Sequence, residues 1–126
     1  MAAETPVSDD SNVILERIIE NSIFTRKQIS ITSKRLSGPG KHKSMTSGSY
    51  YRQVGQCRDK TIAVLYSIVL LELIGAVDDE TATALAKITA QLRVIFDSEN
   101  RDVVLQARTE DVMSVIFQVI QRVCKL

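Results

Sequence analysis

The sequence is poor in tryptophan, histidine, cysteine, proline and glycine, the residues on which many catalytic sites, disulfide-bonded folds and turn-rich folds depend. Its 126 residues include no tryptophan, one histidine, two cysteines, two prolines and five glycines. Two cysteines cannot form a disulfide framework, and with a single histidine they cannot complete a structural zinc site. Few prolines and glycines leave little material for the turns of a β-sandwich. The composition favours a helical protein of a reducing compartment. We expect it in the cytoplasm, or in the nucleoid or nucleus if it binds DNA.

Acidic residues are nearly absent between residues 26 and 60, where Asp59 is the only one. Nine basic residues give that segment a charge of +8. Since the whole chain carries +1, the rest must carry −7. Concentrated positive charge of this kind attracts the phosphate backbone of nucleic acids. The nine basic residues are Arg26, Lys27, Lys34, Arg35, Lys41, Lys43, Arg52, Arg58 and Lys60.

No group of residues assembles into a catalytic site. His42 lies in a basic loop with no acid or cysteine near it in the sequence. Asp78 and Asp79 precede a predicted helix, where capping and the helix dipole account for them. We therefore expect a protein that is not an enzyme and that needs neither a metal nor another cofactor.

Hydrophobic spacing predicts an all-α fold of four to five helices. A first helix is expected over residues 12–24, with Ser11 or Asn12 as its N-cap. Thr25 and Gln28 form a capping-box pattern, which predicts a second helix from Arg26 to about residue 36.

A long central helix is predicted over residues 49–76, capped by Ser47 or Ser49. Two further helices should follow, one after the acids at 78–80 and one opened by Thr109 after a break at 98–102. Residues 1–10 are interpreted as a flexible tail and 11–126 as a single helical domain. Within that domain, 11–77 would form the nucleic-acid-binding half and 78–126 the core and dimerisation half.

The apolar run over residues 61–77 contains one charge, Glu72. At 17 residues it is short for a membrane span, and it carries a carboxylate well inside it. A buried helix is the expected structure, and no membrane association is predicted. Cys57 and Cys124 lie on apolar stripes of their helices and are expected to be buried thiols.

The last helix is apolar on two sides, whereas a surface helix of a monomer needs only one such stripe. The excess indicates either a central position in the core or a subunit contact. The second interpretation predicts a homodimer. Its interface would contain Val112, Ile116, Phe117, Val119, Ile120 and Val123.

The first half of the central helix has a polar side that contains Arg52, Gln53 and Gln56. Arginine can bond guanine and glutamine can bond adenine in the major groove. Tyr51 and Arg58 flank this side, and tyrosine and lysine side chains are suited to phosphates. With the basic segment, these residues form the predicted nucleic-acid-binding set. That set contains Arg26, Lys27, Lys34, Arg35, Lys41, Lys43, Tyr51, Arg52, Gln53, Gln56, Arg58 and Lys60.

The segments TRKQISITSKRL and SGSYYRQVGQCRDK resemble a helix-turn-helix DNA-binding unit, and the resemblance covers residues 12–77. The connection between the two helices is about ten residues, longer than the usual three or four. The resemblance implies a second helix that braces and a third that enters the groove. It places Arg52, Gln53 and Gln56 on bases. It places Arg26, Lys27, Lys41, Lys43 and Arg58 on phosphates.

The sequence therefore predicts a small DNA-binding protein, a homodimeric transcriptional regulator whose partner is double-stranded DNA. Two alternatives remain open. One is a helical interaction module whose basic patch docks an acidic protein. The other is an RNA-binding protein in which Tyr51 stacks on unpaired bases, since Tyr50 lies on the apolar stripe.

Overall fold

The computed structural model describes residues 13–38, 45–97 and 101–126, and for 101–108 it describes the backbone only. The predicted all-α fold with a long central helix is confirmed, and the described residues contain no strand beyond one isolated bridge. The helices are α1 (Val13–Glu20), α2 (Arg26–Ser37), α3 (Ser47–Leu73), α4 (Thr81–Asp97) and α5 (Arg101–Val123). The predicted N-terminal tail and the predicted cap of α1 lie outside the described residues.

The chain divides into two compact units, residues 1–65 and 66–126, and the boundary falls within α3. The N-terminal unit contains α1, α2 and the first part of α3. Ile14 of α1, Ile31 of α2, and Tyr50 and Cys57 of α3 are buried in it. All three helices therefore contribute to one small core, and Cys57 is buried as predicted.

The break between α1 and α2 is made by local side-chain bonds. α1 ends at Glu20, four residues before its predicted end, because the hydroxyl of Ser22 donates to the carbonyl of Ile19 and accepts from the backbone N–H of Phe24. The predicted capping box then starts α2. The Gln28 N–H donates to Thr25 Oγ1 at 3.1 Å, and the Thr25 N–H donates to Gln28 Oε1 at 2.9 Å.

The two ends of α3 differ from the prediction by a few residues. At its start, Thr46 is the cap, because its hydroxyl accepts the Ser49 N–H at 3.1 Å and its carbonyl the Tyr50 N–H at 2.9 Å. The predicted caps Ser47 and Ser49 lie inside the first turn. The helix ends at Leu73 rather than at Ala76.

Gly75 ends α3, because its φ of 81° lies in the left-handed region that glycine adopts without steric cost. The Ala76 N–H bonds to the carbonyl of Leu71, and the Gly75 N–H to that of Glu72. These two bonds define a Schellman motif, in which the last carbonyls of the helix are satisfied by the reversed chain.

α5 begins at Arg101, eight residues before its predicted start at Thr109. The residues that precede Thr109 include Leu105, Gln106, Ala107 and Arg108, all strong helix formers. Their propensity outweighs the capping pattern of Thr109 and the two acids that follow it. Residues 101 and 102 of the predicted break at 98–102 are therefore helical, and the rest of that break lies outside the described residues.

The C-terminal unit is closed by a short antiparallel pairing between the α3–α4 connection and the end of the chain. The Asp78 N–H donates to the Val123 carbonyl at 2.8 Å, and the Lys125 N–H to the Ala76 carbonyl at 2.7 Å. Nζ of Lys125 also lies 3.1 Å from Oδ2 of Asp78. The Glu80 backbone N–H and then Lys125 lower the pKa of Asp78. Ala76, Ile116 and Val123 are buried beside this closure.

The apolar run over residues 61–77 is not the buried helix that was predicted. Tyr66, Val69 and Leu73 on α3 are exposed, as is Ile74 after it. Cys124, also predicted to be buried, is exposed because it lies after the end of α5. None of the described helices combines the length and apolar character needed to cross a membrane.

Candidate nucleic-acid interface

The contacts between α2 and the first half of α3 bring the basic segment together. Near the start of α2, Sγ of Cys57 lies 3.6 Å from the Gln28 carbonyl oxygen and donates to it. Near its end, the guanidinium carbon of Arg35 lies 5.9 Å from the ring centroid of Tyr51. The start of α2 thus contacts a later part of α3, and the end of α2 contacts an earlier part of α3. The two helices are therefore antiparallel. They present their basic residues on one unit.

Gln28 joins the start of α2 to α3. Its side-chain oxygen accepts from the Thr25 N–H and also from Nζ of Lys60, at 3.0 Å. The Lys60 ammonium lies 5.4 Å from the ring centroid of Phe24 as well, which is a cation–π distance. Lys60 is half-buried by these contacts. Of the predicted nucleic-acid-binding residues, Lys60 is therefore already engaged inside the unit.

Arg26 is also engaged, because its guanidinium forms an ion pair with the carboxylate of Glu16. This pair links the first turn of α2 to α1. The side chains of both residues remain partly exposed. An anionic ligand would therefore have to compete with Glu16 for Arg26.

Five other basic residues remain exposed on α2 and α3, and we call them the basic face. In the part of the chain that the structure describes, none of the five has an ion-pair partner. Asp59 is the one acid that α2 and residues 47–65 of α3 contain, and it too is exposed. The basic face consists of Lys27, Lys34, Arg35, Arg52 and Arg58.

Tyr51 lies beside the basic face and is held by two neighbours. Its ring meets the ring of Tyr50 edge-on, with centroids 5.0 Å apart and planes at 75°. Arg35 lies over the Tyr51 ring. Tyr51 is 55% exposed, whereas Tyr50 is completely buried. Tyr50 is therefore unable to stack on a base, in agreement with its predicted position on the apolar stripe. Of these two tyrosines, Tyr51 is the one that a ligand can reach.

The predicted base-reading residues are not equally placed. Arg52 and Gln56 are exposed and lie four residues apart on one side of α3. Gln53 is half-buried, and its amide nitrogen lies 3.4 Å from the hydroxyl oxygen of Ser49. The side chains of Arg52 and Gln56 are thus accessible to a ligand, whereas the Gln53 side chain contacts Ser49 of the same helix.

Three residues of the basic loop, Lys41, His42 and Lys43, lie outside the described residues. They follow the described end of α2, where Lys34 and Arg35 are exposed. By sequence they extend the positive charge of the basic face by two lysines.

The predicted dimer residues of α5 fall into two groups. Ile116 and Val123 are buried and Val112 and Val119 are half-buried within the C-terminal unit. Phe117 and Ile120 are exposed. Val112 and Ile116 line a cleft of about 460 Å³ between α4 and α5. Four of the six residues thus contribute to the packing of the unit itself.

Sequence reasoning missed the contacts that engage Arg26 and Lys60. The capping box indicated where the side chain of Gln28 lies, but its second bond crosses 32 positions of sequence. No local sequence pattern indicates a contact between residues as far apart in the chain as Gln28 and Lys60.

Among the described residues, no three histidine, cysteine or acidic side chains are grouped as a metal site would require. No protein-family model, curated protein or solved structure matches the chain.

Proposed function

We propose that this protein binds double-stranded DNA through the basic face of its N-terminal unit and acts as a small transcriptional regulator. The observation that carries the proposal is the set of five exposed cations on α2 and α3 that have no ion-pair partner among the described residues. Phosphate binding releases the counterions condensed on DNA, and this release favours unpaired cations over those already engaged by carboxylates.

Arg52 and Gln56 give the proposal its sequence-reading element. Both side chains are exposed on the same side of α3. Arg58, six residues after Arg52, is also exposed and lies about 120° around the helix from it. Arginine and glutamine are the side chains that pair with guanine and adenine edges in the major groove. In the proposed complex Arg52 and Gln56 contact bases, and Lys27, Lys34, Arg35 and Arg58 contact phosphates.

Double-stranded DNA is preferred to single-stranded RNA because of the contacts of Tyr51. Recognition of unpaired bases relies on free aromatic faces. One face of Tyr51 is already covered by Arg35, and the Tyr51 ring also makes an edge-to-face contact with the ring of Tyr50. The basic face therefore presents several cations that can bind phosphates, but little free aromatic surface on which a base can stack.

Charge-removal variants test the proposal. With about four phosphate contacts, log Kobs should fall against log salt with a slope of about −3.6, or roughly 150-fold between 50 and 200 mM. The double substitution Arg35→Gln and Arg58→Gln should weaken binding and reduce that slope by about two, because both arginines are assigned to phosphates. Fluorescence anisotropy with a labelled duplex measures both quantities.

Arg93→Gln with Arg122→Gln is the matched control, because it removes the same charge from exposed arginines of the C-terminal unit. This control should leave the slope unchanged. Equal losses in the two double variants would mean that only net charge matters, and the proposed interface would be wrong. A protein with no DNA affinity at low salt would instead point to an acidic protein partner.

A further inference from the structure

The part of α3 that belongs to the C-terminal unit is apolar on two sides. On one side, Ile68 and Leu71 line a cavity of about 250 Å³ that α4 and α5 also line. The residues on the other side recur at i, i+3, i+4, i+7 and i+8, the spacing of a helix that packs against a partner. We call these five residues the apolar face: Tyr66, Val69, Leu70, Leu73 and Ile74.

No part of the chain that the structure describes covers the apolar face. Its members are 74%, 64%, 56%, 80% and 68% exposed, in sequence order. Single exposed apolar residues are ordinary on protein surfaces, but contiguous patches of several large ones mark interaction sites. The face is therefore a docking surface.

The size of the apolar face fits a second copy of this chain. Residues of these sizes expose roughly 150–250 Å² each when fully solvated, so the face presents on the order of 650 Å². Complete burial of two such faces would remove about 1,300 Å² from water, and this upper limit is within the range of specific protein–protein interfaces.

The chemistry of the face favours the same occupant. All five residues are uncharged, and the one charge on this part of α3 is Glu72. An uncharged apolar strip has no means of selecting a charged partner, but it is complementary to itself in a two-fold arrangement. We propose that the apolar face is a homodimer interface, filled by the same face of a second copy. The inference does not depend on DNA binding.

Sedimentation equilibrium of the full chain tests the proposal. The wild type should be a dimer at about 50 µM, and Val69→Glu should raise the dissociation constant by at least about 30-fold, as loss of an interface hot spot does. Val94→Glu is the matched control, since Val94 is 73% exposed on α4. It should leave the dimer intact.

Three results would overturn the proposal. One is a wild type that stays monomeric at about 100 µM, a concentration at which even weak dimers associate. Another is a Val69→Glu dimer as tight as the wild type. The third is dissociation by Val94→Glu, which would assign the interface to the α4–α5 surface.

A milder variant covers the case in which Val69→Glu fails to fold by circular dichroism. Leu73→Gln keeps the side-chain volume, introduces no charge and lies near the end of α3. It should raise the dissociation constant at least about tenfold because an interfacial amide is left without a partner. An unchanged constant in this folded variant would also contradict the proposal.

Discussion

The side-chain oxygen of Gln28 accepts a hydrogen bond from Nζ of Lys60 at 3.0 Å while it also accepts the backbone N–H of Thr25. One glutamine thus closes the capping box of α2 and links α2 to α3. The basic face lies on these same two helices. The contact therefore holds the elements on which the proposed interface depends.

Gln28→Ala should destabilise the N-terminal unit by about 1–2 kcal/mol, because it removes the capping-box oxygen and leaves Lys60 without its acceptor. Urea unfolding followed by circular dichroism measures the change. Gln56→Ala is the matched control, since Gln56 is exposed on α3 and makes no such contact. Its effect should stay within about 0.5 kcal/mol. Similar losses in both variants would show that Gln28 has no special role.

Two glycine substitutions should have opposite effects. Gly75→Ala places a side chain at a φ of 81° and should cost about 1 kcal/mol. Gly55→Ala lies inside α3, where an added Cβ would meet nothing within 4 Å, and should stabilise by about 0.5–1 kcal/mol. Thermal unfolding of the two variants checks both signs. A neutral Gly75→Ala would contradict the Schellman ending of α3.

The stability that Asp78 gives to the C-terminal unit should depend on pH. The Glu80 N–H and Lys125 lower the pKa of Asp78 below its ordinary value of 3.8. A depressed folded-state pKa gives stability that is present above the unfolded-state pKa and lost as pH falls through the folded value. Asp78→Asn should therefore destabilise at pH 7 and have a smaller effect once the wild-type carboxyl is protonated.

Urea unfolding at pH 7 and at about pH 3 measures this difference, and the loss should begin as the pH falls through the unfolded-state pKa of 3.8. Asp97→Asn, an exposed acid of the same unit, is the control for removal of a charge. If Asp78→Asn were equally destabilising at both pH values, its bonds to Glu80 and Lys125 would not be the cause.

Most of the fold could be predicted because local chemistry decides it. The capping box of Thr25 and Gln28 was readable from residue types at fixed spacing. The end of α3 was not, because the apolar pattern continues through Ile74 and Ala76 and hides the stop at Gly75. Similarly, α5 begins at Arg101 because the residues before Thr109 are good helix formers. The capping pattern at Thr109 therefore did not mark the start of the helix.

The candidate site could be predicted in part. Unrolling α3 indicated that Arg52 and Gln56 face away from Tyr50 and Cys57, and the structure places them on the surface. The partners of Arg26 and Lys60 could not be foreseen, since helical periodicity gives a direction but no tertiary contact. The apolar face was predicted to be buried, because a hydrophobic pattern indicates an apolar side of a helix but not what covers it.

Binding of labelled duplex DNA by the wild-type chain, followed by fluorescence anisotropy at 50 and 200 mM salt with single-stranded RNA in parallel, tests the central claim most directly. We predict duplex binding that weakens by about two to three orders of magnitude across that range and exceeds RNA binding at both. Binding that ignored salt, or a clear preference for RNA, would contradict the account.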